Sequence, residues 1–165
     1  MHLDQLSWRD ALTPGDIVAF AFPTTEDGIH AKHRPALVLD IDRSSGVAEA
    51  VIVYGTAAMT RANTGLELHV LEPADIAAAR LRKPTRFVGT RRIRVPLDSP
   101  RFIVCAASTA VIGRLPATFH PRLDQLRDLT AALAPARAST RRRTRRRLYN
   151  TLDRRRDHQL EKETL

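Results

Sequence analysis

Apolar residues recur in the first third of the chain as short runs separated by turn signals. Residues 17–22 are apolar and end at Pro23, and residues 36–41 and 48–54 are rich in valine, isoleucine and leucine. Runs of this length between Pro, Gly and Ser are typical of β-strands. Residues 23–33 carry Pro, Gly and several ionisable side chains without a period, and they predict a loop between the first two strands.

The middle of the chain predicts further short elements. Residues 65–70 alternate apolar and polar side chains, as a half-buried strand does. Residues 73–82 begin with proline, which is favoured at the first helical position, and predict a short helix. Three more short strands are predicted at residues 87–88, 91–95 and 102–106. A hairpin turn is predicted at residues 43–46, where the sequence reads Arg-Ser-Ser-Gly.

The last ordered element is predicted to be a helix. Leucines at 123, 126, 129 and 133 recur at helical spacing, and Pro135 ends the run. Many short strands followed by a closing helix predict a mainly β fold, a small half-open β-barrel with helices. The predicted organisation is an N-terminal extension over residues 1–12, a barrel domain over 13–135, and an Arg-rich C-terminal tail over 136–165 that is either helical or disordered.

Charge is concentrated in that tail. The chain has 27 Lys+Arg against 18 Asp+Glu, a formal net charge of +9, yet residues 137–165 alone hold eleven bases and four acids. The body is therefore close to neutral. A solvated extension is one interpretation of the tail. The other is sequence-independent, salt-sensitive RNA binding by six arginines: Arg141, Arg142, Arg143, Arg145, Arg146 and Arg147.

Several classes of protein are excluded or disfavoured. A single cysteine, Cys105, cannot form an intramolecular disulfide, and its apolar neighbours predict a buried structural thiol. No zinc-helix spacing of histidines and no glycine-rich phosphate loop is present, so no metal and no cofactor is expected. The N-terminus lacks a signal-peptide pattern, and no apolar run approaches the ~18–20 residues of a membrane helix. A cytoplasmic protein without a membrane partner is expected.

Two places carry candidate chemistry. In the loop before the second strand, an acid, titratable imidazoles and fixed cations suit acid–base work on a phosphodiester; the candidates there are His30, Lys32, His33 and Arg34. The alternative is an ordinary solvated loop of mixed charge. The third strand ends in Tyr54-Gly55-Thr56, where a hydroxyl beside glycine can approach a phosphate closely. A plain strand-to-loop transition is the alternative there.

These pieces, in this order, resemble the PemK/MazF family of toxin endoribonucleases. The resemblance covers about residues 12–133. It is carried by five segments of the sequence: Pro14-Gly15-Asp16-Ile17-Val18, His33-Arg34-Pro35-Ala36-Leu37-Val38-Leu39, Gly55-Thr56-Ala57, Leu81-Arg82-Lys83-Pro84-Thr85-Arg86-Phe87 and Ile112-Gly113-Arg114-Leu115-Pro116.

The resemblance implies an SH3-like barrel of the PemK/MazF type that forms a homodimer. It also implies the toxin component of a type II toxin–antitoxin system, which cleaves single-stranded mRNA without metal and is blocked by a small acidic antitoxin. Arg34 and Thr56 occupy the positions that flank the scissile phosphate in the family, and His33 or His30 would exchange a proton. Lys32 and His30 are the RNA-binding candidates of the same loop.

One segment departs from the family. Many members carry a Cys-Asp-Gln segment followed by an arginine on a late strand, whereas residues 105–110 here read Cys-Ala-Ala-Ser-Thr-Ala. Two hypotheses therefore stay open. The chain is an RNA-cleaving toxin that retains Arg34 and Thr56, or it is a non-catalytic barrel that binds nucleic acid or a partner protein. A purely structural barrel with a charged tail is a third interpretation.

Overall fold

A computed structural model describes residues 7–23 and 32–133. The fold is mainly β, a curled half-barrel of six antiparallel strands with a helix at its C-terminal side. The strands are β1 (Asp16–Phe22), β2 (Lys32–Asp42), β3 (Glu49–Thr56), β4 (Glu67–Val70), β5 (Thr85–Pro96) and β6 (Val111–Arg114). The helices are α1 (Trp8–Ala11), α2 (Pro73–Ala78), a 3₁₀ turn (Ala117–Phe119) and α3 (residues 120–133). The sheet order is β4-β5-β3-β2-β1-β6.

The strands predicted from the first three apolar runs are confirmed as β1, β2 and β3, and the alternating segment is confirmed as β4. The closing helix is also confirmed, with Leu123 and Leu126 buried and Leu129 39% exposed. The predicted mainly β fold with helices is therefore confirmed at the level of a curled half-barrel.

Four boundaries predicted from the sequence are wrong. Residues 87–88 and 91–95 belong to one strand, β5. Residues 102–106 form no strand, and the next strand after β5 is β6. The loop predicted over residues 23–33 ends too late, because Lys32 and His33 already belong to β2. The helix predicted over residues 73–82 ends at Ala78.

Each face of the sheet has its own hydrophobic cluster, because successive side chains on a strand point to opposite faces. One cluster contains alternate residues of β1 to β3 together with apolar residues of the segment after β5; its members include Val18, Phe20, Ala36, Val38, Ile52, Leu97 and Phe102. The other contains the opposite set and the first turns of α3; its members include Ile17, Leu37, Leu39, Val53, Phe87, Leu123 and Leu126. Both faces are thus covered along the described chain.

Aromatic edge contacts attach the segment 97–111 and α1 to the first cluster. Phe102 lies edge-on to Phe20, with ring centroids 5.1 Å apart, and Trp8 packs edge-on against Phe102 at 5.4 Å. Edge-to-face pairs at these distances are favourable beyond the area they bury. Phe102 makes only an isolated bridge to Phe20, and it is the one buried residue of 102–106, so this apolar run forms no strand.

β3 changes register against both of its neighbours over a short stretch. Against β2, Val38 pairs with Ile52 but Asp40 pairs with Val51, so one extra residue is inserted on β2. Against β5, Val53 pairs with Arg92 whereas Tyr54 pairs with Val88. Irregularities of this kind bend a strand and increase its twist, consistent with the curled shape of the sheet.

The predicted hairpin turn lies between β2 and β3, at the end of β2 remote from Arg34. Hydrogen bonds from the Ser44 hydroxyl and backbone N–H, and then the Arg94 guanidinium, hold the pKa of Asp42 below its usual value. Arg94 also contacts Glu49 at 3.1 Å, and these two carboxylates raise its pKa. This exposed ion-pair network supplies control positions for the experiments below.

Gly113 packs directly against the end of α2. A Cβ at this position would meet the carbonyl oxygen of Ala79, a backbone atom that cannot swing away. We therefore expect Gly113→Ala to lower the free energy of unfolding by about 3 kcal/mol, the upper end of the usual cost of overpacking. Urea denaturation measures this. Gly46→Ala is the control because nothing lies within 4 Å of a Cβ there, and an equal loss in the two variants would contradict the packing argument.

Among the described residues, no helix has the length and apolar character needed to cross a membrane.

Candidate functional site

The register of β2 against β3 brings Arg34 and Thr56 together. Leu37 pairs with Val53 and Ala36 with Tyr54 in this antiparallel ladder. Extending the same register by one more pleat places Arg34 opposite Thr56. Residues directly opposite each other in such a pair point to the same face of the sheet. Two residues 22 positions apart in the sequence thus become neighbours at one edge of the fold.

Gly55 keeps the two strands close beyond the last paired residues. A Cβ on Gly55 would lie 2.5 Å from the carbonyl oxygen of Pro35 and 2.9 Å from the Phe87 ring. Only glycine allows the backbone to pass this near to its neighbour. Gly55 therefore allows β3 to stay close to β2 as far as Thr56, the next residue.

The hydroxyl of Thr56 is oriented by a local turn. Its Oγ1 accepts a hydrogen bond from the backbone N–H of Ala58 at 3.1 Å. A hydroxyl is one donor and two acceptor lone pairs, so this bond leaves the hydroxyl hydrogen free to donate to a ligand oxygen. Thr56 is buried in the strand, which limits the freedom of its side chain.

The guanidinium of Arg34 is held over an aromatic ring. Its Cζ lies 5.5 Å from the centroid of Tyr54, and Arg91 approaches the same ring at 4.7 Å. The Nε of Arg34 is buried and has no hydrogen-bond partner within residues 7–23 and 32–133. A buried donor without a partner is costly in a folded protein, and the Nε of Arg86 is in the same situation.

Arg34 and Thr56 line one cleft with a volume of about 780 Å³. His33 lines it as well, so the structure brings together all three residues predicted as catalytic. Three further cations line the same cleft, namely Arg80, Arg82 and Lys83. No carboxylate is among the lining residues, and no acid of the described chain lies within ion-pairing distance of these four fixed cations. Uncompensated cations in a concave site attract anions.

Arg80 reaches the cleft through a strained turn. The backbone N–H of Arg80 donates to Ala77 and that of Leu81 donates to Ile76, which is the hydrogen-bond pattern of a Schellman motif ending α2. The motif requires a left-handed residue, and Arg80 adopts it with φ of 54°. Glycine is the usual residue here, so an arginine in this conformation indicates a role for its side chain.

We expect Arg80→Gly to raise the free energy of unfolding by about 0.5 kcal/mol, because relief of the left-handed strain exceeds the entropy cost of glycine. The same variant is expected to weaken the binding of a polyanion, since one cleft cation is lost. Arg82→Gly is the matched control. The backbone of Arg82 is not left-handed, so the Arg82→Gly variant is expected to lose both stability and polyanion binding. Denaturation measures the stability and filter binding measures the affinity. Loss of stability in Arg80→Gly would contradict the strain argument.

The opposite wall of the cleft contains the segment that departs from the family pattern. Cys105, Ala107 and Thr109 line the cleft, within a turn closed by hydrogen bonds between Cys105 and residues 108 and 109. The prediction that Cys105 is a buried thiol is wrong, because the chain turns outward after Phe102 and leaves the cysteine exposed. This wall therefore offers small and neutral side chains to the cleft.

The remaining predicted site residues are distributed differently. Lys32 is an exposed residue of β2 and is not among the residues that line the cleft. His30 and the tail arginines, Arg141, Arg142, Arg143, Arg145, Arg146 and Arg147, lie outside the described residues. Arg80, Arg82 and Lys83 were not predicted as site residues. The available signal was the cluster of bases in residues 80–83, at the end of a predicted helix.

Residues 7–23 and 32–133 contain no group of three or more His, Cys, Asp or Glu side chains arranged to hold a metal ion. The fold and site thus define a mainly β half-barrel with a cationic cleft that no carboxylate of the described residues lines. No family model matches the chain, and no curated protein matches it either.

Proposed function

We propose that this protein is a metal-independent endoribonuclease that cleaves single-stranded mRNA, the toxin component of a type II toxin–antitoxin system on an SH3-like barrel of the PemK/MazF type. The proposal is carried by the β2–β3 register, which on extension by one pleat sets Arg34 opposite Thr56. Both residues line a cleft with four fixed cations and, among the described residues, no carboxylate. Single-stranded RNA suits such a cleft, because proteins read RNA sequence mainly on unpaired bases.

In the proposed reaction, the ribose 2′-oxygen attacks the adjacent phosphorus and the bond to the 5′-oxygen breaks. The products are a 2′,3′-cyclic phosphate and a 5′-hydroxyl end. Arg34 neutralises the charge that develops on the phosphoryl oxygens, and the free hydrogen of the Thr56 hydroxyl binds one of them. Both groups are fixed before the reaction, by the Tyr54 ring and by the Ala58 N–H.

Proton transfer falls to histidine in this proposal. His33 lines the cleft beside Arg34, and a neutral imidazole can accept the proton of the 2′-hydroxyl. The proton for the departing 5′-oxygen comes from a protonated imidazole, for which His30 is the second candidate of the same segment, or from water. Since no carboxylate of the described residues lines the cleft to orient the imidazole, we expect slower turnover than in an enzyme that has one.

The second candidate function is binding without cleavage. It is favoured by one observation, the small neutral wall of Cys105 and Ala107 across the cleft. A cleft with four fixed cations still binds phosphates when it lacks a base that removes the proton. A nucleic-acid-binding barrel is then expected, with affinity that falls as salt concentration rises.

The proposed inhibitor is a small acidic antitoxin. A segment rich in Asp and Glu that lies along the cleft would meet Arg34, Arg80, Arg82 and Lys83 and exclude RNA from them. Such a segment would fold on binding. The proposed toxin acts in the cytoplasm as a homodimer and inhibits growth when the antitoxin is lost.

The test is incubation of the purified protein with a long single-stranded RNA in EDTA. Cleavage that leaves 2′,3′-cyclic phosphate ends supports the endoribonuclease. A DNA strand of the same sequence is the control, because it lacks the attacking 2′-hydroxyl and must stay intact. Intact RNA that is bound in a salt-sensitive way would support the binding protein instead.

The Arg-rich tail is proposed to supply affinity without specificity. Truncation after Pro135 removes eleven bases and four acids. We expect it to flatten the dependence of RNA affinity on salt, since each neutralised phosphate contributes to that slope. The cleavage pattern on a long RNA is expected to stay the same. A changed pattern, found by mapping the ends of the fragments, would contradict this division between tail and cleft.

A further inference from the structure

A second pocket is lined by residues of β4, of α3 and of the segment between β3 and β4. Thr56 pairs with Arg86 across β5, and Arg86 pairs with His69 across β4. His69 therefore continues the cross-strand row that begins with Arg34 and Thr56. The pocket has a volume of about 390 Å³, within the range of small-ligand sites, and Arg61, His69 and Arg122 are among its lining residues.

A buried ion pair forms the base of this pocket. Arg86 contacts the Glu67 carboxylate at 2.7 Å, and their side chains are only 6% and 5% exposed. The same guanidinium nitrogen donates to the carbonyl and hydroxyl oxygens of Thr60, at 3.0 and 2.8 Å. The second carboxylate oxygen of Glu67 is 2.7 Å from the Nε2 of His69. The negative charge of Glu67 is thus compensated, and the His69 ring is held in place.

Arg122 supplies a fixed charge that no acid compensates. Its Nε and Nη2 donate to the carbonyl oxygen of Glu67, at 3.0 and 2.7 Å, and Nη2 also donates to Gly65 at 2.9 Å. Its remaining partner is the side-chain amide oxygen of Gln125. All these acceptors are neutral, so the guanidinium keeps its full charge while it cannot move. Arg61 adds a second cation for which the described chain gives no ion pair.

We propose that this pocket binds a phosphate group. Two cations, one of them immobilised, attract an oxyanion. The ring of His69 is held at Nε2 by Glu67, and in its protonated form it has a second N–H, at Nδ1, to donate to the anion. The buried Glu67–Arg86 pair explains why a carboxylate at the base does not repel the anion. The inference stands on contacts separate from those of the cleft and does not need the chain to be a nuclease.

The phosphate group has two sources that share this chemistry, a free phosphate ion and the backbone of an RNA strand. Two strand spacings, about 10 Å, separate the backbone of His69 from that of Thr56 along the row. A short extended stretch of a single strand covers that distance. An RNA strand seated at Arg34 and Thr56 would place a neighbouring phosphate at the second pocket.

The first arm of the test uses inorganic phosphate at constant ionic strength on the full chain. The backbone amide resonances of residues 65 and 69 are followed by NMR in the wild type, in Arg34→Ala, and in an Arg61→Gln/His69→Gln double variant. We expect saturable shifts in the first two proteins and an affinity reduced by about tenfold in the double variant. Arg101→Gln, which removes one exposed cation outside both sites, is the matched control.

The second arm uses a short single-stranded oligoribonucleotide with 2′-O-methyl groups, which cannot be cleaved. If the double variant binds this RNA about tenfold more weakly than the wild type does, the pocket is assigned to the RNA backbone. Unchanged RNA affinity, together with phosphate shifts, assigns it to the free ion. The proposal would be overturned if phosphate caused no saturable shifts at Gly65 and His69. It would also be overturned if the double variant and Arg101→Gln bound phosphate with equal affinity. Neither outcome depends on whether the cleft cleaves RNA.

Discussion

Arg34→Ala is expected to lower the rate of RNA cleavage by about two to three orders of magnitude, the usual cost of losing one preorganised group that stabilises a developing anion. The physical reason is local. Arg34 is the cleft cation that the β2–β3 register places opposite Thr56, and its buried Nε has no other described partner. Single-turnover cleavage of a long RNA measures the rate. The affinity for an uncleavable RNA should fall far less, because Arg80, Arg82 and Lys83 still line the cleft.

The matched control is Arg91→Ala. Arg91 stacks on the same Tyr54 ring, at 4.7 Å, but is not among the residues that line the cleft. Loss of one cation–π contact changes a rate or affinity by about fivefold or less. Arg34→Lys should give an intermediate rate, because lysine keeps the charge and loses the two-pronged geometry. Equal effects of Arg34→Ala and Arg91→Ala would show that net charge alone, not position, governs the activity.

Glu67→Ala is expected to lower the free energy of unfolding by about 3–5 kcal/mol, because it leaves the Arg86 charge buried without its partner. His69 loses its acceptor in the same variant. Chemical denaturation at neutral pH measures the loss. The matched control is Glu49→Ala, which breaks an ion pair with Arg94 in which the arginine is half exposed, and it should cost about 1 kcal/mol or less.

The double variant Glu67→Ala/Arg86→Met separates burial of a lone charge from loss of an attractive contact. When both charges are replaced by apolar groups, no unpaired charge remains in the sheet. We expect the double variant to regain a large part of the stability lost in Glu67→Ala. If the double variant stayed as unstable as Glu67→Ala, the buried pair would be a true source of stability rather than a compensated cost.

The strands that carry the site could be predicted because short apolar runs and turn residues mark them in the local sequence. β-branched and aliphatic runs ending in Pro, Gly or Ser mark β1, β2 and β3, and the pair Arg34 and Thr56 lies on two of them. The predicted proximity of the pair came from resemblance, and the ladder supplies a physical reason for it. The homodimer and the antitoxin remain predictions, since neither involves contacts within one chain.

Tertiary packing decided the features that the sequence did not reveal. Residues 102–106 are as apolar as a strand, yet Phe102 is buried by ring contacts and Cys105 turns outward. Arg80 enters the cleft only because a left-handed turn ends α2. Glu67 and His69 are two residues apart on one strand and so share a face, which is a readable signal, but Arg86 joins them only through the pairing of β4 with β5.

The register change between β3 and β5 divides that ladder into two blocks. Residues 49–53 pair with one set of partners on β5, and residues 54–56, which include Thr56, pair in a different register. The ladder with β2 runs unbroken across this junction, from Ile52 to Tyr54. The irregularity therefore bends β3 on its β5 side while β2 holds the strand through the junction. Amide exchange on RNA binding should slow at residues 54–56 and 86–88 while residues 49–53 keep their protection.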